Sequence, residues 1–442
     1  MYAVIGAGPM GLATARNLDK YGIPFVGFDL NADVGGLWDI DNPHSTMYET
    51  AHLISSKRMT EFAEFPMKDE VAPYPHHAEL REYFRDYAKH FDLYRHYEFN
   101  TRVLAVERDG AGWLISTRQG DEVSTRRFDG LLIANGTLHH PNMPTLPGDF
   151  AGRLMHASEY RSPSVFDGKR VLVVGCGNSG ADIAVDAVHH ARKVDLSVRR
   201  GYYFLPKFLL GKPTDTLGGK FKLPRRVKQW LDGLMIRAVM GKPSQYGLPD
   251  PDYRMYESHP VMNSLILHHL GHGDIQARRD IADIQGHTVT FTDGEQADYD
   301  LILMATGYKL HYPFIDREEL NWPRDAGAPQ LYLNVFHPEH DNLFMMGMIE
   351  AAGLGWEGRN EQAELVALYI RQLAAGAPSA LKLKEIKRRE AGNILDGGYA
   401  YLKLDRMAYY VHKDSYRSAV HKHISSLQGD LAPAPTPAAG AA

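Results

Sequence analysis

Cysteine is almost missing from this chain: Cys176 is the single one among 442 residues. That excludes a disulfide framework, a cysteine-based metal site and a paired-cysteine redox centre. Long apolar runs are missing too, so no segment is expected to span a bilayer, and membrane association is not expected. A leader peptide is not expected either, because Tyr2 already opens the first predicted strand. A reducing, cytoplasmic setting follows as the expectation. Net charge is a modest −5, with 23% charged residues, and leaves no footprint for nucleic acid. Histidine pairs occur (His76-His77, His139-His140, His189-His190, His268-His269), but no carboxylate is placed to complete a site. His268 and His272 have the spacing of one helical face, yet Gly271 and Gly273 argue against that helix, so no metal site is expected. Hydrophobic content of 44% fits a globular protein too long for one ordinary core.

Two glycine fingerprints are present. The first is VIGAGPMG, with Gly6, Gly8, Pro9, Met10 and Gly11; the second is VVGCGNSG, with Gly175, Gly177, Asn178, Ser179 and Gly180. Each follows a short apolar run and opens a helical pattern: Leu12, Ala15 and Leu18 in one, Ala181, Ala184, Val185 and Val188 in the other. In that context the first glycine permits the turn, the second lets a diphosphate approach the backbone, and the third lets helix and strand pack closely. The diphosphate then meets free N–H groups at the positive end of the helix.

The residues that close each unit differ. Asp29 ends the run Pro24 to Phe28 and can accept a hydrogen bond from a bare ribose. Arg199 and Arg200 end the alternating run Val194, Leu196, Val198, where guanidinium groups can clamp a 2′-phosphate. FAD is therefore expected at the first site and NADPH at the second, which makes the chain a redox enzyme. The expected fold class is α/β, with two Rossmann-like dinucleotide-binding domains and the NADPH domain inserted into the FAD domain. Residues 1–162 form the first part of the FAD domain, 163–300 the insertion, and 301–430 the second part with the C-terminal helices. The strand Leu301 to Met304 is expected to return the chain to the first domain. Residues 431–442, rich in Ala and Pro, are expected to be a disordered tail.

Between the fingerprints stands Phe150-Ala-Gly152-Arg-Leu-Met-His156-Ala-Ser-Glu-Tyr160. It matches the FxGxxxHxxxY pattern, and the chain resembles the flavin-containing monooxygenases, relatives of the Baeyer–Villiger and N-hydroxylating monooxygenases. Gly35 to Trp38, the segment KRMTEFAEFP from Lys57, the ATGY at Ala305 to Tyr308 and Gln362 support the resemblance. It implies that NADPH reduces the flavin, that the reduced flavin holds O₂ as a C4a-(hydro)peroxyflavin, and that an oxygen atom passes to a nitrogen or sulfur of a small molecule. The protein then supplies orientation and dryness. The resemblance places Gly6, Gly8, Gly11, Asp29, Gly36, Leu37 and Trp38 around FAD, gives the Val103 backbone to the adenine, and sets Gln362 near the isoalloxazine or its ribityl chain. It gives Asn178, Ser179, Arg199 and Arg200 to NADPH, and reads His156 as a residue that joins the domains. A homodimer is compatible with it.

One position departs from the family. Its members carry an asparagine three residues before the lysine at Lys57; here that residue is Ile54, followed by Ser55 and Ser56. An aliphatic side chain cannot donate a hydrogen bond. Either serine hydroxyls, Ser55 first, replace the amide, or the intermediate is held differently, or the substrate class has changed. Two other readings stay open: a Baeyer–Villiger enzyme, whose motif carries tryptophan where Tyr160 stands, and an uncoupled NADPH oxidase or redox-sensing flavoprotein. The segment Val227 to Met240, with an apolar stripe at Val227, Trp230, Leu231 and Leu234, is expected to be a helical lid over the substrate channel, with a membrane-surface helix as the alternative. Tyr399, Tyr401, Tyr409 and Tyr410 are candidates to line that channel or a subunit contact.

Overall fold

The computed structural model describes residues 1–217 and 223–431, so the expected tail lies outside the described residues from residue 432 onward. Four-residue runs such as Tyr2–Ile5, Phe25–Phe28 and Gly130–Ile133 are apolar on both faces, which suits strands covered on both sides in a parallel sheet. They form it with Leu343–Met345 and Tyr97–Glu98, in the spatial order 343–345, 130–133, 2–5, 25–28, 97–98. The helices Pro9–Lys20, Gly355–Ala374 and Lys413–Gly429 pack together against this sheet around Leu12, Val366 and Tyr416. A three-stranded antiparallel sheet, Thr101–Asp109, Gly112–Gln119 and Glu122–Phe128, covers the other side through Trp113 and Ile115.

The second parallel sheet has the order 153–156, 301–304, 170–174, 193–197, 275–278. Two expected boundaries therefore move. Arg153–His156, assigned to the first domain, lies at the edge of the second sheet. Leu301–Met304, expected to return the chain, is an inner strand of that sheet, paired in register from Val171↔Leu301 to Val174↔Met304. All four of its side chains are buried, and only an inner strand covers both faces of so apolar a run. The return comes just afterwards, where Tyr308–Lys309 pairs with His140–Pro141.

Two further expectations change. The helix Arg225–Met240 forms, but its expected lid face points outward: Val227, Trp230, Leu231 and Leu234 are exposed, while Ile236 and Met240 pack inward on Leu205 and Met255. The helix Leu265–His272 also forms in spite of Gly271, because Gly273 closes it in the left-handed conformation, φ +81°. That turn brings Asp274 back to His269 Nδ1 at 2.9 Å and to His272 Nδ1 at 3.7 Å, so a carboxylate does face these histidines. Among the described residues no helix is long and apolar enough to cross a membrane.

Candidate active site: two nucleotide cradles and their junction

The first cradle begins where the strand Tyr2–Ile5 ends. Gly6 has φ +109°, and a Cβ there would lie 2.5 Å from the carbonyl oxygen of Ala134, at the end of the neighbouring strand. Gly8 caps the helix Pro9–Lys20, and Pro9 takes its first position, where the missing N–H has no intrahelical role. The N–H groups of Met10 and Gly11 in the first turn have no helical acceptor and face outward from the positive end. Gly36 roofs this turn: a Cβ on it would stand 2.9 Å from Gly8 Cα. Leu37 and Trp38 follow in the 3-10 turn Gly36–Trp38, with the Trp38 ring edge-on to Trp356 at 6.2 Å.

Asp29 is only 6% exposed. Its Oδ2 accepts from the Ala7 N–H at 2.5 Å, and its Oδ1 from the backbone and side-chain N–H groups of Asn31 at 2.8 and 2.9 Å. Burial raises its pKa above the usual carboxylate value, and the N–H groups of Asn31 and Ala7 oppose that shift. Asn31 Oδ1 is buried without a partner, an acceptor that a ribose hydroxyl would satisfy. Thr101 N–H donates to the Asp29 carbonyl at 2.8 Å, and two residues on the pairing register slips between Val103 and Ala105, freeing backbone beside Asp29. Gln362 is fully buried; its Oε1 accepts from Gly347 N–H at 2.8 Å and its Nε2 donates to Tyr416 Oη at 2.6 Å. Its amide shapes the turn after Leu343–Met345 and has no free group to offer. These residues fit FAD: a backbone cradle with no room for side chains, and an orphaned acceptor at its ribose end.

The second cradle repeats the geometry. Gly175 has φ +102°, and a Cβ there would lie 2.6 Å from the Ala305 carbonyl oxygen. Gly177 caps the helix Asn178–Val188, but nothing stands within 4 Å of where its Cβ would be. Asn178 Oδ1 accepts from Met262 N–H at 2.7 Å, and Ser179 is half-buried with no hydroxyl partner among the described residues. Arg199 is exposed; Arg200 is half-buried and reaches Tyr202 Oη at 3.4 Å. Neither forms an ion pair among the described residues, which leaves both guanidinium groups for an anion. Cys176, within this turn, is buried, and burial pushes its thiol up to about 12.

The motif between the cradles ties them together. A Cβ on Gly152 would meet the Asp300 carbonyl oxygen at 2.6 Å and the Phe150 ring at 2.5 Å, so only glycine fits that entry to the strand. His156 is 1% exposed; its Nδ1 accepts from Ser158 N–H at 3.0 Å, and its own N–H donates to Glu159 at 2.9 Å. Burial lowers its pKa, which keeps the imidazole neutral. Tyr160 donates to Asp186 at 2.9 Å, Thr50 donates to the same carboxylate, and Tyr48 donates to Asp182 at 3.3 Å. The second nucleotide helix is thus pinned to the first domain by its own acidic face.

The positions that replace the family amide are less open than expected. Ile54 and Ser55 are half-buried, and the Ser55 hydroxyl is engaged with Thr60 Oγ1 at 2.7 Å. Ser56 N–H donates to Asp215 Oδ2 at 2.7 Å, while Ser56 Oγ and Asp215 Oδ1 are buried without partners. Sequence reasoning missed Asp215, which no motif marks. It missed a second group as well. Arg406 pairs with Glu350 at 3.1 Å, and His259 Nδ1 lies 3.3 Å from Tyr410 Oη. Burial pulls His259 down to about 3, with the Arg406 charge adding to the shift. His259 precedes Pro260, whose carbonyl receives Asn178 Nδ2 at 3.5 Å, while Glu350 lies just past the Gly347 turn. This group therefore lies between the cradles. Of the Arg406 side chain 39% is open, while its Nε is buried without a partner. Of the four tyrosines, Tyr410 and Tyr401 join this group with rings 4.9 Å apart, and Tyr399 stacks on Tyr401.

The family model described as Flavin-binding monooxygenase-like matches residues 1–426, nearly the whole chain. The chain belongs to the flavin-containing monooxygenase family. FAD and NADPH are that family's cofactors. The chain is 31% identical over 419 residues to Dimethylaniline monooxygenase [N-oxide-forming] 2 of Oryctolagus cuniculus, covering 89% of this chain and 77% of that protein. Its fold is similar to the cyclohexanone-bound structure of cyclohexanone monooxygenase in the Rotated conformation, with a TM-score of 0.72, 18% identity and 96% and 97% of the two chains covered. It is also similar to S-allyl-L-cysteine S-oxygenase from Allium sativum, with a TM-score of 0.64, 19% identity and 97% and 88% covered.

Proposed function

We propose that this flavin monooxygenase uses NADPH and O₂ to oxygenate a nitrogen or sulfur atom of a small molecule. The observation that carries the reading is the contrast between a roofed first cradle, where Gly36 closes over Gly8, and a second cradle open at Gly177. A resident flavin and an exchangeable nicotinamide need that asymmetry. Bound FAD would supply the hydride acceptor and the oxygen chemistry. The chain's own residues do the rest. The N–H groups of Met10 and Gly11 would hold the flavin diphosphate, with Asp29 and Asn31 at its ribose and the Val103 backbone at its adenine. Gly175, Gly177, Ser179 and Gly180 would receive the second diphosphate, while Arg199 and Arg200 select the 2′-phosphate. Trp38 and Trp356 exclude water from the flavin side, and the Glu350–Arg406 pair offers charged groups to a polar substrate. Nitrogen is supported by the N-oxide-forming relative, and sulfur by the fold shared with an S-oxygenase.

A second reading is an NADPH oxidase that releases hydrogen peroxide. Ile54 favours it, because neither that side chain nor the engaged Ser55 hydroxyl offers a donor to hold activated oxygen. A panel of amines and thioethers, scored by a mass gain of one oxygen and by product formed per NADPH consumed, separates the two. Oxygenated product near one per NADPH supports the first reading; peroxide in equal amount to NADPH with every compound supports the second.

A further inference from the structure

The helix Arg225–Met240 has two opposite apolar faces. At about 100° per residue, Ile236 and Met240 fall on the inner face with Gln229, and Val227, Trp230, Leu231, Leu234 and Met235 fall on the outer one. The outer face is uncovered: Trp230 is 65% exposed and Leu234 53%. It is also concentrated in one place, since ten of the seventeen large apolar side chains exposed among the described residues lie between Phe208 and Val239. Leu210 is 89% exposed at the tip of the hairpin Phe208–Leu209 and Lys212–Pro213. Scattered apolar side chains are ordinary on a surface, but a continuous stripe is not.

Charge is segregated in the same segment. From Lys207 to Lys242 the sequence has nine Lys and Arg against two Asp, a local +7 in a chain of net −5. The exposed Arg226 and Arg237 border one edge of the apolar arc and form no ion pair among the described residues. Asp232, the one acid of this helix, lies off the arc and is bound by Lys228 and Tyr256, so no acid of the helix opposes the approach of an anion.

We propose that this face docks the protein on an anionic lipid surface, the alternative to a lid that the sequence of this segment left open. An apolar helix stripe with a tryptophan, edged by arginines, lies in the headgroup boundary with its apolar side chains down and its cations at the phosphates. The hairpin tip, Leu210 between Lys207 and Lys212, supplies a second foot of the same character. The inward face stays packed on Leu205 and Met255, so docking requires no rearrangement of the fold.

The test uses flavin-loaded protein and sucrose-filled vesicles of phosphatidylcholine alone or of phosphatidylcholine mixed equally with phosphatidylglycerol. The expected result is co-sedimentation with the anionic vesicles only, lost as salt is raised. Arg226→Gln/Arg237→Gln weakens binding roughly thirtyfold, at about 1 kcal/mol per basic residue. Trp230→Ser/Leu234→Ser abolishes it, while flavin content and NADPH oxidation stay at the starting level and show the variant folded. No co-sedimentation of the active protein with anionic vesicles at low salt overturns the proposal, as does equal binding by Trp230→Ser/Leu234→Ser. So does a dimer in sedimentation equilibrium that this double variant dissolves and that leaves vesicles unbound, since the face then belongs to a second copy.

Discussion

The two nucleotide cradles share one backbone plan and differ in what surrounds it. In each, a glycine of positive φ lets the turn press against the end of a neighbouring strand, Gly6 on Ala134 and Gly175 on Ala305. The first is then closed over by Gly36 and anchored by a buried carboxylate whose oxygens hold Ala7 and Asn31. The second keeps open space at Gly177 and ends in two guanidinium groups that have no acidic partner among the described residues. Under the proposed function, turns of one plan take different duties, retention in one and exchange in the other, from their covers and not from their glycines.

Steric change at the third glycine of each fingerprint gives the largest effects. A Cβ on Gly11 would collide with the Gly6 carbonyl, and one on Gly180 with the Gly175 carbonyl. Each collision costs about 3 kcal/mol or more in a backbone that cannot yield. Gly11→Ala is expected to be isolated colourless; Gly180→Ala is expected to stay yellow while NADPH oxidation falls at least a hundredfold. Flavin absorbance per protein checks both, and a colourless Gly180→Ala protein would break the comparison.

Next in size is Asp29→Ala, which removes a buried acceptor of three hydrogen bonds, about 3 kcal/mol. Lower flavin content and an earlier thermal transition are expected together. Arg199→Ala/Arg200→Ala leaves flavin content unchanged and raises KM for NADPH about thirtyfold, from about 2 kcal/mol of charge-assisted bonding, with NADH oxidation unaffected. Retained preference for NADPH would remove these arginines from the second cradle.

Acid sharpens the contrast further. His337 in the first domain and His259 at the junction are both pulled down to about 3, chiefly by burial. Their contribution is fully present above about pH 6.5, where the unfolded chain is also neutral. It is lost as pH falls, by up to about 1.4 kcal/mol per pH unit for each histidine, because the unfolded chain takes protons that the folded one refuses. Urea unfolding from pH 7 to pH 5 should therefore show falling stability, with a shallower slope in His337→Gln. The smallest effect belongs to Cys176→Ala. It deletes one buried sulfur at about 1 kcal/mol and leaves both cofactor sites intact, as paired measurements of flavin content and KM for NADPH would show.

Much of the fold was legible because its signals are local. Glycine spacing, the apolar runs before it and the helical periodicity after it all act within one strand–turn–helix unit. Boundaries were less legible: nothing in LILM at 301–304 says which of two parallel sheets it enters, since either would bury it on both faces. The lid expectation failed for a similar reason. A stripe at helical spacing states that a helix has an apolar side, but Val227 and Trp230 look alike whether that side meets protein or nothing. Asp215, Glu350, Arg406 and His259 carry no motif and come from separate stretches of chain, so only folding assembles them.

The sequence alone settled which turns exist, which charges end them and which family they resemble, because each of those depends on residues within one short stretch of chain. The tertiary structure decided which cradle is roofed, where the second sheet ends, which polar atoms remain without partners at the junction, and which helix face is left bare. Those outcomes depend on packing between segments tens to hundreds of residues apart, where burial and hydrogen-bond satisfaction are properties of the assembled chain.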